Sequence, residues 1–485
     1  MSLSGALSNA LSGLTANSRA ASLVASNIAN ATTESYGRRT LETSSRTVGV
    51  GGVQIDGVNR RIDTAVLSDR RLSDAQTGFA ENMQTFASKI EALLGPSGEA
   101  GSLSSFYSAF ENAILSASSD PSSTQRLQTV ALAAQDFVGK LNDVSTTLQL
   151  SRATADRTIA AQVDSLNTAL GRVKDLNEAI AESMYRNGDA SSLMDERQRV
   201  IDQVSEIVPL RTVQRDNGMI AVYAASGNPL LDPTIHSEPA EIGFTAQNLV
   251  TADMTLGNGL LSGLTISGKA VNSTNEGPLG GGTLGAQLQI RDTVAVELQS
   301  VLDGIARDLI ERFEPGGPDT TLVAGDPGLF TDAGLAFDPL NEVGLAGRIS
   351  LNALVDPTDS GTWRLRDGLG AATQGDVGDA RLLQAYSDAL ESLNVPGSTS
   401  LGTGAFSFGE HVGDFVSAVS TARVRADDQQ SFSNAQNTAL KELELSAGVD
   451  TDAELQELLR IEQHYAANAR VITTVDELMQ TLLSI

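Results

Sequence analysis

The sequence predicts a multidomain α+β protein: paired terminal coiled-coil helices, a long-helix rod-like domain and an inserted β-rich domain. Three observations carry that expectation. Apolar residues recur at helical spacing at both ends of the chain. The stretch following Pro121 keeps helical spacing for roughly 60 residues without another proline. Short apolar or alternating runs, separated by Gly, Asn, Asp and Pro, fill the intervals between the later helical patterns. The expected divisions are 1–60 with 440–485 for the terminal domain, 61–205 with 286–314 and 370–439 for the helical domain, and 206–285 with 315–369 for the outer β-rich domain.

Composition narrows the function. The chain has 485 residues, 41% of them hydrophobic, only 4% aromatic, with 45 glycines and a formal net charge of −27. Few large rings favour thin, helix-rich shapes over a thick interior. A chain this acidic repels nucleic acid, whose binding rests on Lys and Arg contacts to phosphate, and it has no polybasic run for anionic lipid. There is no cysteine, which removes disulfides, thiolate metal sites and a thiol nucleophile together. The first 18 residues carry no cation and are too interrupted by Ser, Asn, Gly and Thr for an apolar signal core. No cleavable signal peptide and no membrane span is therefore expected.

At the N-terminus, Leu3, Leu7, Leu11, Leu14, Ala21, Ala25 and Ile28 recur at spacings of three, four and seven, one stripe of a helix. At the C-terminus, Leu458, Ile461, Tyr465, Ile472, Val475, Met479 and Leu482 fall on heptad a and d positions, interrupted by Asn468. For one such helix, docking on its own domain is the simpler reading. Two at opposite ends, with opposite charge, favour a pair: residues 1–71 hold eight Arg against five acids, and residues 441–485 three cations against nine acids. Ser- and Asn-rich helices of this kind persist only through packing, so both termini are expected to order only when neighbouring subunits cover them.

Further elements follow in order. Asp120 reads as an N-cap with Pro121 in the first turn. Apolar positions then recur from Leu127 to Leu148 and resume from Ile159 to Ile180. One rod of about 90 Å fits, and a hairpin turning near Ser151 competes with it. Strand signals lie at Val213, Met219 to Tyr223, Leu264 to Ile266, Arg348 to Leu351 and Thr362 to Leu365. A helix from Gln287 to Phe313 interrupts them, and helical pattern returns at Asp379 to Leu393 and from Val412 to Leu445.

Catalytic and cofactor patterns fail on inspection. Gly280 to Gly285 fits G-x-G-x-x-G, but a polar loop, not a strand, precedes it, so it reads as a flexible connection. Gly263 to Lys269 fits a phosphate loop, but Ala270 stands where a magnesium-binding hydroxyl is needed. His236, His411 and His464 lack metal-ligand spacing. The acid pairs Asp195/Glu196 and Asp427/Asp428 read as solvated faces or helix starts. The reading is no enzyme, no cofactor and no metal.

The stretch Ala25 to Arg39 contains Asn27, Asn30 and Tyr36, with Ala29-Asn30-Ala31-Thr32-Thr33-Glu34-Ser35-Tyr36 at its centre. It resembles the N-terminal signature of flagellar rod, hook and hook-associated proteins, with Ser35 where that signature usually has Gly. The run Leu458 to Ile472 and the segment Thr474 to Leu483 resemble the C-terminal end of the hook-associated protein 1 family. Asp195 to Gln198 and Gly280 to Asp292 resemble its inner helix starts. The resemblance implies a structural subunit of the bacterial flagellum, exported through the flagellar type III apparatus and lying outside the cell as a ring between hook and filament. Its implied partners are copies of itself, hook protein below, a second junction protein and flagellin above, and a cytoplasmic export chaperone holding the C-terminal helix. A rod or hook protein of the same superfamily is the alternative; an adhesin or surface enzyme is the alternative of another class.

Overall fold

A computed structural model describes residues 3–46, 51–96 and 98–484. The chain opens with α1 (Leu3–Ala29), in which Arg19 is the one charged residue. β1 (Arg38–Ser45) and β2 (Val53–Arg61) form an antiparallel hairpin, bulged between Glu42 and Thr43, that lies along α1. α2 (Thr64–Leu94) begins at the Asp63 side chain, which accepts the Ala65 and Val66 N–H groups. α3 (Leu103–Ser119), α4 (Thr124–Tyr185) and α5 (Ser191–Ser205) follow. Then come two small three-stranded sheets: β3 (Leu210–Gln214), β4 (Ile220–Ala224) and β5 (Pro229–Leu231), and β6 (Ile242–Gly243), β7 (Thr265–Ile266) and β8 (Lys269–Ala270). α6 (Gly282–Gln289) runs through a π-turn at Ile290–Val294 into α7 (Ala295–Arg312). β9 (Phe330–Asp332) pairs with β10 (Ile349–Leu351). α8 (Arg364–Asp367), α9 (Arg381–Glu391), α10 (Phe408–Ala447) and α11 (Thr451–Leu483) complete the chain.

α4 is a single helix of 62 residues, and two apolar cores form along it. Its first half, Leu127 to Leu148, packs with α3, α7, α9 and the start of α10, where Phe110, Phe137, Phe313, Phe330 and Phe408 are fully buried. Its second half, Ile159 to Val173, packs with α5, the two three-stranded sheets and α6. The apolar pattern lapses between Leu148 and Ile159 because a belt of buried charge sits there, not a turn. The Arg152 Nε–H donates to the Arg291 carbonyl at 2.9 Å, and Asp156 pairs with the Arg291 guanidinium at 2.6 Å, all three side chains being fully buried. Paired and hydrogen-bonded, these charges are tolerated inside; the π-turn delivers Arg291 to them.

Four expectations change. The cap of α4 is Ser123, whose Oγ accepts the Arg126 N–H, because α3 runs on to Ser119 and Asp120 closes it. Thr362 to Leu365 is helical, a 3-10 turn at Ser360–Trp363 leading into α8, and it passes so close to the Leu354 carbonyl that a Cβ on Gly361 would stand 2.1 Å from it. The glycine run 280–285 is packed rather than flexible. It opens α6, earlier than the expected helix start, and a Cβ on Gly282 would lie 2.3 Å from the Ile207 carbonyl, at a φ of +60°. The intervals 206–285 and 315–369 do not share a sheet: the first joins the core on the second half of α4, the other the core on the first half. They touch where Ala252 approaches Gly344.

α2 and α10 run antiparallel through a mostly polar seam. Asn437 donates to Asp74 at 2.7 Å, Gln84 to Asp427 at 2.9 Å and Ser420 to Glu91 at 2.7 Å. A capping box of Ser407 and Glu410 starts α10. α1 and α11 are likewise antiparallel, joined at Asn27–Glu454 and at Gly13–Asn468. One chain thus supplies both members of the expected terminal pair.

Candidate assembly interface

The terminal pair does not use the leucine stripe as its seam. The face of α1 turned inward is small: Ala10, Gly13 and Ala16, then Val24 and Asn27, are buried. A Cβ on Gly13 would stand 2.7 Å from the Asn468 amide, so glycine sets how closely the helices approach. On α11 the buried positions are Glu454, Ile461 and Val475, a heptad series that the half-buried Asn468 completes. Leu3, Leu14, Ile28, Leu458 and Ile472 flank this seam half-buried. Leu7, 40% exposed, and Leu11, 59% exposed, point away from it. Tyr465, Met479 and Leu482 are exposed on α11, as are Leu455 and Leu459, so the pair keeps an apolar surface that the described residues do not cover.

Asn27 is the hub of the joint. Only 1% exposed, it satisfies all four of its hydrogen-bonding positions. Its Nδ2 donates to the Arg39 carbonyl and to Glu454 Oε2, both at 2.9 Å. Its Oδ1 accepts the Tyr36 hydroxyl at 2.9 Å and the Arg39 N–H at 3.0 Å. Arg38 Nε closes the group on Glu454 at 2.6 Å. Asn30 donates to the Ser26 carbonyl at 2.9 Å and ends α1. One residue of each terminal helix, the turn and the hairpin therefore meet at one buried amide. Ser35, where the resembling signature usually has Gly, takes a left-handed φ of +64°, and its Oγ donates to Asp202 at 2.8 Å.

Around this hub lies a layer of arginine and carboxylate that the sequence reading missed. Asp195 pairs with Arg39 and Arg60, each at 2.6 Å, and also accepts the Gly37 N–H. It is not a solvated acid. Asp202 pairs with Arg70 and Arg71, both at 2.7 Å. Three carboxylates (Asp202, Asp74 and Glu444) hold Arg70 above its ordinary range although burial opposes it. Burial raises Glu444 against the pull of Arg70. Burial, and after it the Arg60 and Arg71 guanidiniums, bring Arg197 down to about 10. Two signals could have found this layer: the opposite charge of the two termini, and Asp195, Gln198 and Asp202 at i, i+3 and i+7 on one helix face. Among the described residues no group of His, Cys, Asp or Glu is spaced to hold a metal ion, and no helix is long and apolar enough to cross a membrane.

The family profile for the helical domain of the flagellar hook-associated protein FlgK matches residues 69–315. The profile for the C-terminal region of the flagellar basal-body rod proteins FlgEFG matches residues 445–485. Flagellar hook-associated protein 1 of Salmonella typhimurium is 25% identical over 573 aligned positions, covering 100% of both chains. The protein of the same name in Bacillus subtilis is 22% identical, covering 99% of this chain and 97% of its own. A looser likeness, with a TM-score of 0.43 at 16% identity, covers 54% of this chain and 46% of the flagellar hook junction protein FlgK from Burkholderia pseudomallei.

Proposed function

This chain belongs to the FlgK family of flagellar hook-associated proteins, the structural components of the hook–filament junction, and we propose that it joins the two by packing its terminal helix pair against copies of itself. The observation that carries this reading is the uncovered apolar surface of α1 and α11. Leu7, Leu11, Leu459 and Leu482 stay exposed while the pair's seam is made from Ala10, Gly13, Ile461 and Val475. A monomer with no further partner gains nothing from four exposed leucines on two helices already paired. Copies side by side in a ring bury them.

Hook protein meets one end of this ring; a second junction protein and the flagellin side meet the other. The body built on α4 lies outside the axial packing. The chain reaches its place outside the cell through the flagellar type III apparatus, and a cytoplasmic export chaperone covers the apolar positions of α11 before assembly. The work is mechanical and needs no catalytic group or cofactor.

Deleting the gene, viewing the cells by electron microscopy and assaying flagellin in the medium tests the role. Bare hooks, no filaments and shed flagellin are expected. Missing hooks would move the protein to the rod or hook, and normal filaments would overturn the junction reading in favour of an adhesin or surface enzyme.

A further inference from the structure

The three apolar cores contain no described residue of α1, the hairpin or α11. The terminal limb (α1, the turn, the hairpin and α11) is joined to the body by two chain crossings, from β2 into α2 and from α10 into α11. Its other attachment is polar and runs to one face of α5. Ser35 donates to Asp202 at 2.8 Å, the Gly37 N–H to Asp195 at 3.1 Å, and Arg39 to Asp195 at 2.6 Å. Arg60 reaches Asp195 at 2.6 Å and Gln198 at 2.5 Å. Asp195, Gln198 and Asp202, at i, i+3 and i+7, form a rail along which the limb is held.

We propose that this rail is a releasable clasp that sets the angle between the terminal limb and the body. The two sides of the attachment differ in what they lose on opening. Asp195 is bonded to limb groups, and Arg39 and Arg60 are limb residues on the surface that opening exposes. Release therefore delivers the charges to water instead of leaving them buried and unpaired, which is the costly way to break an ion pair. The closed pairs are largely shielded, the Arg60 side chain 8% and Asp195 18% exposed, so the hydration regained on opening offsets most of the attraction given up, and closed and open limbs are close in free energy. The limb survives release intact, because Asn27, Tyr36, Arg38 and Glu454 bond within it. The body survives as well, since Arg70 and Arg71 keep Asp202. Ser35, left-handed at the crossing point, is freed from that conformation when its bond to Asp202 opens. A subunit set between two unlike assemblies needs a limb whose tilt adjusts without refolding the body. That use rests on the junction role, whereas the clasp does not.

The 485-residue chain has no cysteine, so Ser22→Cys on α1 and Ser165→Cys on α4 give one pair of spin labels whose separation reports the limb angle. The purified labelled chain is expected to give one narrow distance distribution. Ser35→Ala with Asp195→Ala, which spare Arg70 and Arg71, are expected to raise the open-to-closed ratio at least about tenfold, with the body's unfolding midpoint unchanged. A distribution that stays narrow in that variant, or is already broad without it, overturns the clasp. If the variant does not fold, the same labelled chain is taken from low to molar salt: broadening supports the clasp, and an unchanged distribution overturns it. Failure here leaves the bare-hook result untouched, so the two readings fall separately.

Discussion

The helical body and the terminal limb treat their apolar residues in opposite ways. In the body, Phe137 lies fully buried against Phe408 at 5.8 Å and Tyr107 at 6.1 Å, and α4 carries cores on both halves of its length. In the limb, two long helices meet through alanines, a glycine and an asparagine hub, while leucines face outward. The body completes itself within one chain. The limb completes only its seam. On the proposed reading, stability and assembly are carried by different residues, and substitutions should separate them.

The largest effect is expected in the body. Phe137→Ala removes a fully buried ring from an edge-to-face cluster and should lower stability by about 3–5 kcal/mol in chemical denaturation. A loss under about 1 kcal/mol would mean that the body is not the stable half.

A second body effect depends on pH. Burial pushes Asp303 up to about 6, against the N–H groups of Ala346 and Gly344 and the Gln299 amide that favour its charge. Its folded value lies above the unfolded one, so the folded state holds the proton between about pH 4 and 6. Stability should fall as pH rises through that window, by roughly 3 kcal/mol in total, and level off above it. Asp303→Asn should flatten the profile. A slope unchanged in that variant would assign it to other groups.

In the limb, Asn27→Ala strips partners from Glu454, Tyr36 and the Arg39 backbone, a local loss of about 1–3 kcal/mol. Amide hydrogen exchange should quicken in α1 and the hairpin and leave α3 and α4 unchanged. Uniform acceleration would join the limb to the body's cooperative unit. The smallest effect is at Ser35. Ser35→Ala loses the bond to Asp202 and keeps the left-handed backbone, whereas Ser35→Gly loses the bond and relaxes the backbone, so glycine should be milder by about 1 kcal/mol. The reverse order would remove backbone strain from the account.

The long elements were legible in the sequence because their apolar period is sustained. α4, α10 and α11 appear within a few residues of where the pattern places them. The signature residues Asn27, Asn30 and Tyr36 were legible as well: Asn27 and Tyr36 meet at the limb's joint, and Asn30 ends α1. Polar closure was not legible. Residues 151–156 break the apolar pattern as a turn would, yet Arg152 and Asp156 continue the helix, because their partner Arg291 arrives from a segment far along the chain. Asp195 reads as solvated until the hairpin is folded onto it. The leucine stripe of α1 was visible, but not which face would pair. That choice depends on Gly13 and Ala16 allowing a close approach, a matter of backbone distance rather than hydropathy.

The most direct measurement combines monomer stability with assembly for one variant, Leu7→Ser with Leu11→Ser and Leu459→Ser, expressed in place of the native chain. The expected result is an unfolding free energy for the purified protein within roughly 0.5 kcal/mol per site of the native value, together with cells that carry bare hooks and shed flagellin. Normal filaments on those cells would contradict the account, for the exposed leucines would then not be the surface through which copies join.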